Sequence, residues 1–344
     1  MIKNSLYYAK ILLFGEYGII EDAQGLSIPY DDYKARFSFE QVESESAKDS
    51  NQKLKAYALH LHESRSAGHL TVAIDTERML ADLEKGMHFD SSIPQGYGVG
   101  SSGALVAATY AQYAAKPIKA ESDHTPEQLQ QLKSELAALE CFFHGRSSGM
   151  DPLICYLQIP ILFNGKSDLG VVQLPQEQQG AGAIFLLNTG EAGETQPLVN
   201  LFMERLKQDG FRRMIRTEFR KYNNACIKSF LKGDVQPLFR NLRKLSQLAL
   251  DNFKPMIPDL FHQLWKQGIE TEAYYLKLCG SGGGGYILGF TKDYERARQL
   301  LVDYDLKVSI DSNGSFVASD GKRKRCPATA IRALFGLFIP HSVV

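Results

Sequence analysis

Apolar and polar positions divide the chain into recognisable elements. Leu6 to Phe14 is mostly apolar and predicts a strand. Ala35, Phe37 and Phe39 alternate with Arg36, Ser38 and Glu40, as in a strand with one buried face. Glu43 to Lys53 is polar and reads as a loop, and Gly68 to Asp75 reads as another strand. Residues 102–115 are rich in Ala, Leu, Val and Tyr and predict a helix, with Pro117 just past its end. Thr125-Pro126-Glu127-Gln128 is a capping box with proline at the first helical position. It opens a helix to about His144, with Leu129, Leu132, Leu136, Leu139 and Phe143 at three- and four-residue steps. Residues 152–163 read as strand and turn.

A second region starts near Ala181. Ala183 to Leu187 predicts a strand, and helices follow over roughly 195–209, 212–232 and 235–251. Short strands are expected at Tyr274 to Leu278, Tyr286 to Phe290, Leu306 to Ile310 and Phe316 to Ala318, and a last helix over Ala328 to Leu337. Strands and helices mix without regular alternation, so the class is α+β rather than doubly wound. The polar Gln176 to Gln179 run places a boundary between an N-terminal domain, 1–180, and a C-terminal domain, 181–344.

Lys+Arg and Asp+Glu total 39 each, so no excess of positive charge exists to neutralise a nucleic acid. The one dense basic run, Lys322 to Arg325, reads as a solvated loop. No window is long and apolar enough to span a bilayer. Lys10 and Glu16 interrupt the apolar N-terminal stretch, so no leader is expected. The five cysteines are widely spaced, without C-x-x-C, which fits a reducing, cytoplasmic setting better than a disulfide framework or zinc site.

Two glycine clusters carry the candidate chemistry. Pro94-Gln95-Gly96-Tyr97-Gly98-Val99-Gly100-Ser101-Ser102-Gly103-Ala104 leads directly into a helix. Glycines let backbone N–H groups approach a phosphate, and a helix N-terminus adds unpaired donors. Ser101 and Ser102 add hydroxyls that can reach phosphate or a bound magnesium ion. Gly98-x-Gly100-x-x-Gly103 also matches a dinucleotide fingerprint, but no hydrophobic strand runs into it. Gly165-Lys166-Ser167 ends like a Walker A loop, yet Pro160 stands where the first glycine belongs. The second cluster is Gly280-Ser281-Gly282-Gly283-Gly284-Gly285. A hairpin needs one or two glycines, so close approach of the backbone to a ligand is the expected reason for five.

Acidic and basic residues stand near these clusters in the sequence pattern. Glu140 and His144 share one helix face at i, i+4. Asp151 follows a Ser-Ser-Gly turn, and a carboxylate so placed can accept a hydroxyl proton or serve as a turn residue. Lys10 lies on an apolar strand, where a lysine either faces water at an edge or pairs with a buried carboxylate.

Three segments in order resemble the signature motifs of the GHMP kinases: Lys10 to Ile20, Pro94 to Ala104 and Lys277 to Tyr286. Glu140-x-x-x-His144-Gly145-x-x-Ser148-Gly149-x-Asp151 is similar to the acidic-helix and aspartate segment of the mevalonate kinases within that family. The resemblance implies an α+β two-domain GHMP kinase fold: an N-terminal domain like domain 2 of ribosomal protein S5 and a ferredoxin-like C-terminal domain, with ATP in the cleft. It implies Asp151 and Lys10 as catalytic residues. The backbone of Gly96, Gly98, Val99, Gly100, Ser101, Ser102 and Gly103 would hold the nucleotide, and Ser102 and Glu140 would hold Mg²⁺. Glu16, Tyr17, His144, Gly280, Ser281, Gly282 and Gly283 would face the substrate.

The activity so implied is ATP-dependent phosphorylation of a primary hydroxyl, with mevalonate as leading acceptor. Tyr17 stands where mevalonate kinases have histidine, Gly103 where they have alanine, and Cys279-Gly280-Ser281 where they have Thr-Gly-Ala. A phosphomevalonate or sugar kinase of the same family therefore stays open, as does a catalytically silent ligand-binding member. The expected partner is a small mevalonate-like alcohol, with no nucleic acid and no membrane, and with a homodimer left open.

Overall fold

The structure, a computed structural model, describes residues 5–39, 44–121, 123–145, 147–165, 168–175, 181–310, 316–317 and 323–324, with backbone only at His144 and from 308 onward. The chain forms two compact units. One comprises Met1–Ile11, Ile28–Gln95 and Val99–Ile159; the other comprises Leu12–Ser27, Gly96–Gly98 and Pro160–Val344.

The first unit holds most of β1 (Tyr7–Phe14) and β2 (Gln24–Ser38), then α1 (Glu45–Ser66), α2 (Thr76–Glu84), β3 (His88–Ser91), α3 (Ser101–Tyr113), α4 (Pro126–His144) and α5 (Met150–Leu157). The end of β2 pairs antiparallel with β3, from Ala35↔Ser91 to Ser38↔His88. Helices α3, α4 and α5 pack on one another. The capping box at Thr125 forms as the sequence predicts, with Gln128 N–H donating to Thr125 Oγ1 and Thr125 N–H donating to the Gln128 side chain. Leu129, Leu132, Leu136 and Leu139 are all buried, so the apolar stripe of α4 faces the core.

In the second unit the first residues of β2 pair with β4 (Ile161–Asn164), and β4 pairs with β5 (Leu169–Val171). The chain continues through β6 (Ala183–Asn188), α6 (Thr195–Arg205), α7 (Asp209–Met214), α8 (Arg220–Lys232), α9 (Val235–Asn252), α10 (His262–Thr271), β7 (Tyr275–Leu278), β8 (Tyr286–Thr291), α11 (Tyr294–Leu300) and β9 (Leu306–Ile310). Helices α7 and α8 are joined by a π-helical turn, Ile215–Phe219. Strands β6 to β9 form one antiparallel sheet in the order β7-β8-β6-β9. Helix α9 buries Leu238, Leu242, Leu245 and Ala249 along one stripe and packs on β7. The Phe14 ring stacks on Phe290 at 5.5 Å and meets Phe230 edge-on at 5.9 Å, in the apolar interior of this unit. A short ribbon, β10 (Phe316–Val317) with β11 (Arg323–Lys324), pairs antiparallel. The middle of the basic run is thus strand rather than loop.

Three further expectations are corrected. Of the loop expected over Glu43 to Lys53, residues 45–53 instead begin α1, and Glu43 lies outside the described residues. Ser44 caps that helix by accepting the Ala47 N–H, and Leu54, Tyr57, Ala58 and Leu61 bury its later turns. Its first turns are polar because they are wet. Gly68 to Asp75 is not a strand. Val72 and Ile74 are buried in alternation, but only Ile74 makes a bridge, to Ala114. Of the strand and turn expected over 152–163, residues 152–157 belong to helix α5 instead, while 161–163 lie in strand β4 as expected. From Pro152 to Leu157 the run is apolar on every side and has no period to read, and Pro152 falls in the first turn, where its missing N–H is not needed. Helices α2, α10 and α11 and strand β3 arise where the pattern predicted no element. The helix expected at Ala328 to Leu337 lies outside the described residues. Among the described residues no helix is long and apolar enough to cross a membrane.

Candidate active site

The first unit brings together Lys10, Ser102, Glu140 and Asp151 from four separate elements. Lys10 stands in the middle of β1 and is 2% exposed. Its backbone N–H donates to the Val99 carbonyl at 2.9 Å, which ties β1 to the chain leading into α3. Its Nζ lies 2.8 Å from Asp151 Oδ2, and the Asp151 side chain remains 43% exposed. The cation is therefore buried and its carboxylate partner reaches solvent. Asp151 sits in the first turn of α5. Gly103 is required there, because a Cβ at that position would lie 2.9 Å from the Asp151 carbonyl carbon. This gives the glycine at 103 a structural reason in place of the family's alanine.

Helix α3 starts at Gly100, in the left-handed region and without a side-chain cap. Its first turn therefore presents the backbone donors of an anion site. Gly100 lies against the Lys10 stem, and Val99 is buried.

Glu140 projects from the end of α4 and is 4% exposed. Ser102 Oγ donates to its Oε1 at 3.2 Å, and Ser147 Oγ donates to Oε2. Burial pushes the Glu140 carboxyl up to about 7, and the negative charge of Asp151 adds to the rise. Hydrogen bonds from Ser147 and Ser102 and the charge of Lys10 act in the other direction. Among the described residues two carboxyl groups, Glu140 and Asp151, stand against one lysine, a local deficit of positive charge. A divalent ion at Glu140 Oε1 and Ser102 Oγ fits this deficit. Among the described residues no group of three or more His, Cys, Asp or Glu is arranged for a metal. A magnesium ion that takes most of its oxygens from phosphates and water does not need such a group.

The raised Glu140 pKa has a measurable consequence. Between about 4.5 and 7 the folded chain keeps a proton that an exposed glutamate releases. The stabilisation this provides is complete below the lower value and is lost as pH rises through the upper one. With metal removed by EDTA, the protein is expected to lose up to about 3 kcal/mol of stability between pH 5 and pH 8. Glu140→Gln is expected to flatten that dependence. Thermal unfolding of both proteins across the pH range measures it, and an unchanged slope in the variant would contradict the assignment.

The second unit holds Glu16, Tyr17 and the second glycine cluster, Gly280 to Gly285. Glu16 is buried against the Lys277 ammonium of β7. Burial pulls Lys277 down to about 7, while the adjoining carboxylate favours its charged form. Tyr17 stacks on Phe202 at 4.6 Å, and its hydroxyl donates to the Ser281 carbonyl at 2.7 Å. Ser281 Oγ meets Thr195 Oγ1 at 3.2 Å.

The glycines of this segment are pressed against other backbone. A Cβ on Gly98 would lie 2.3 Å from the Cys279 carbonyl oxygen, and one on Gly285 would lie 2.3 Å from Tyr97 Cα. Gly283 N–H donates to Met256 O at 2.7 Å, Gly285 N–H to Glu191 O at 2.6 Å, and Gly193 N–H to Gly96 O at 2.9 Å. The physical reason for so many glycines is thus chain against chain, where the sequence suggested chain against ligand. Gly280 is half-buried, Gly282 buried and Gly283 exposed. The His144 backbone ends α4, and its side chain lies outside what is described.

Two residues escaped the sequence reading. Lys277 carries the same signal as Lys10, a lysine within an apolar strand, and could have been found. Ser147 carries none, because a serine in a polar turn is unremarkable until its partner is known.

No curated protein matches this chain in sequence. The profile for the GHMP kinases N terminal domain matches residues 66–158, and that for GHMP kinases C terminal matches residues 226–304. Solved structures share the fold at low identity. The L. major mevalonate kinase bound to R-mevalonate is 17% identical, with 86% of this chain and 89% of that chain covered and a TM-score of 0.56. The Streptococcus pneumoniae phosphomevalonate kinase in complex with phosphomevalonate and AMPPNP is 13% identical, with 86% and 94% covered and a TM-score of 0.54. The Lactococcus lactis galactokinase complexed with galactose is 13% identical, with 89% and 93% covered and a TM-score of 0.55. The two profiles together span half of the sequence, one in each half, and the solved structures repeat the architecture over nearly the whole chain: the protein belongs to the GHMP kinases, a family of small-molecule kinases, and has their two-domain fold.

Proposed function

We propose that this GHMP kinase transfers the γ-phosphate of ATP to the primary hydroxyl of mevalonate. The observation that carries the reading is the 2.8 Å pair between buried Lys10 and solvent-reaching Asp151 beside the uncapped start of α3. Asp151 accepts the proton of the alcohol as the new oxygen–phosphorus bond forms and the bond from the γ-phosphorus to ADP breaks. Lys10 orients that carboxylate and lowers the pKa of the alcohol by its charge. The backbone donors of the first turn of α3 orient the phosphates. Glu140 and Ser102 would hold Mg²⁺, which when bound neutralises charge on the β- and γ-phosphates. Positioning and charge neutralisation supply most of the rate in phosphoryl transfer, and these four side chains are suited to both.

Mevalonate is chosen as acceptor on the Glu140 to Asp151 segment, which is similar to that of mevalonate kinases. The test is ADP release from ATP with mevalonate, phosphomevalonate, homoserine or galactose as acceptor. Mevalonate-dependent release well above ATP alone is expected. Release with another acceptor only would move the substrate within the family. Binding of ATP with turnover of none would favour a silent ligand-binding protein.

A further inference from the structure

We propose that Ser147 is a positioning residue, holding the Glu140 carboxylate in place for the divalent ion. This rests on the reading that Glu140 and Ser102 hold that ion.

The two oxygens of Glu140 have different partners. Oε1 accepts from Ser102 at the start of α3, and Oε2 accepts from Ser147, in the turn between α4 and α5. A serine hydroxyl has one proton to donate and lone pairs to accept with. Ser147 uses both, because Gly149 N–H donates to its Oγ at 2.9 Å. Gly149 is the residue from which α5 starts, and Asp151 lies in the first turn of that helix. A single half-buried hydroxyl thus joins the carboxylate on α4 to the beginning of the helix that bears Asp151.

The division of oxygens has a purpose. Oε1, on the Ser102 side, is the atom a cation would take together with that hydroxyl. Oε2 is held from behind, which fixes the rotation of the carboxylate. A residue without a hydroxyl at 147 would leave Oε2 buried without this donor and Gly149 N–H without this acceptor. Partners that orient a metal-binding carboxylate in this way are worth about 10–100-fold in metal affinity.

The test uses the full chain with Mn²⁺ as probe, measuring free Mn²⁺ by electron paramagnetic resonance in the presence of ADP. Ser147→Ala is expected to weaken Mn²⁺ binding about tenfold. ADP affinity in EDTA should stay within about twofold, and Ser147→Thr, which keeps the hydroxyl, should recover most of the loss. Ser147→Gly serves as a second hydroxyl-free variant if the alanine protein does not fold. Wild-type Mn²⁺ affinity in a hydroxyl-free variant would overturn the role of Ser147 alone. A wild-type chain that binds ADP but no Mn²⁺ would overturn the reading of Glu140 and the role of Ser147 with it.

Discussion

Asp151→Asn is expected to lower kcat about a thousandfold while leaving ATP affinity within a few-fold of wild type. The amide keeps the size of the side chain and removes its ability to take a proton. Steady-state ADP release with the best acceptor, alongside nucleotide binding by calorimetry, separates the two effects. Lys10→Met should act on the same step, because Lys10 reaches Asp151 Oδ2 at 2.8 Å. Residues that act as a unit are not additive, so the double variant should be scarcely slower than Asp151→Asn. Full activity in Asp151→Asn would end the proposed mechanism. Independent, multiplying losses would mean that the lysine and the aspartate serve separate steps.

Gly98→Ala is expected to destabilise the protein by about 2–5 kcal/mol. Two effects add. Gly98 has φ of 76°, a left-handed conformation that a Cβ disfavours by about 1–2 kcal/mol. The new methyl would also lie 2.3 Å from Cys279 O and 2.9 Å from its carbonyl carbon. Both are backbone atoms and cannot swing aside as a side-chain tip can. Gly86→Ala is the control. Its φ is 90°, with nothing within 4 Å of the added atom, so it carries the conformational cost alone. The difference in apparent Tm between the two variants isolates the contact. Equal shifts would show that the glycine segments do not press on each other as described.

What the sequence revealed depended on whether a signal was local. The capping box at Thr125 and the four leucines of α4 are contained within one helix, and they formed as read. Lys10 was legible because a charge in an apolar strand demands a partner, and the family resemblance already named Asp151 with it; the fold supplied the 2.8 Å contact. Helix α1 was not legible at its start, since polar residues on a solvent-facing turn look like those of a loop. Helix α5 was missed for the opposite reason, being apolar on every side from Pro152 onward. Ser147 and the contact of Gly98 with Cys279 join residues far apart in the chain or hidden in a turn, and no spacing rule reaches them.

The packing of the second glycine cluster, Gly280 to Gly285, also bears on how a ligand would meet it. Fixing a residue's backbone costs about 1–2 kcal/mol of conformational entropy, and glycine has the most freedom to lose. Here Gly282, Gly284 and Gly285 are buried and Gly283 is hydrogen-bonded to Met256, so that loss is met when the chain folds. A ligand arriving at this segment finds it preorganised, and its affinity is not diminished by having to order a floppy loop.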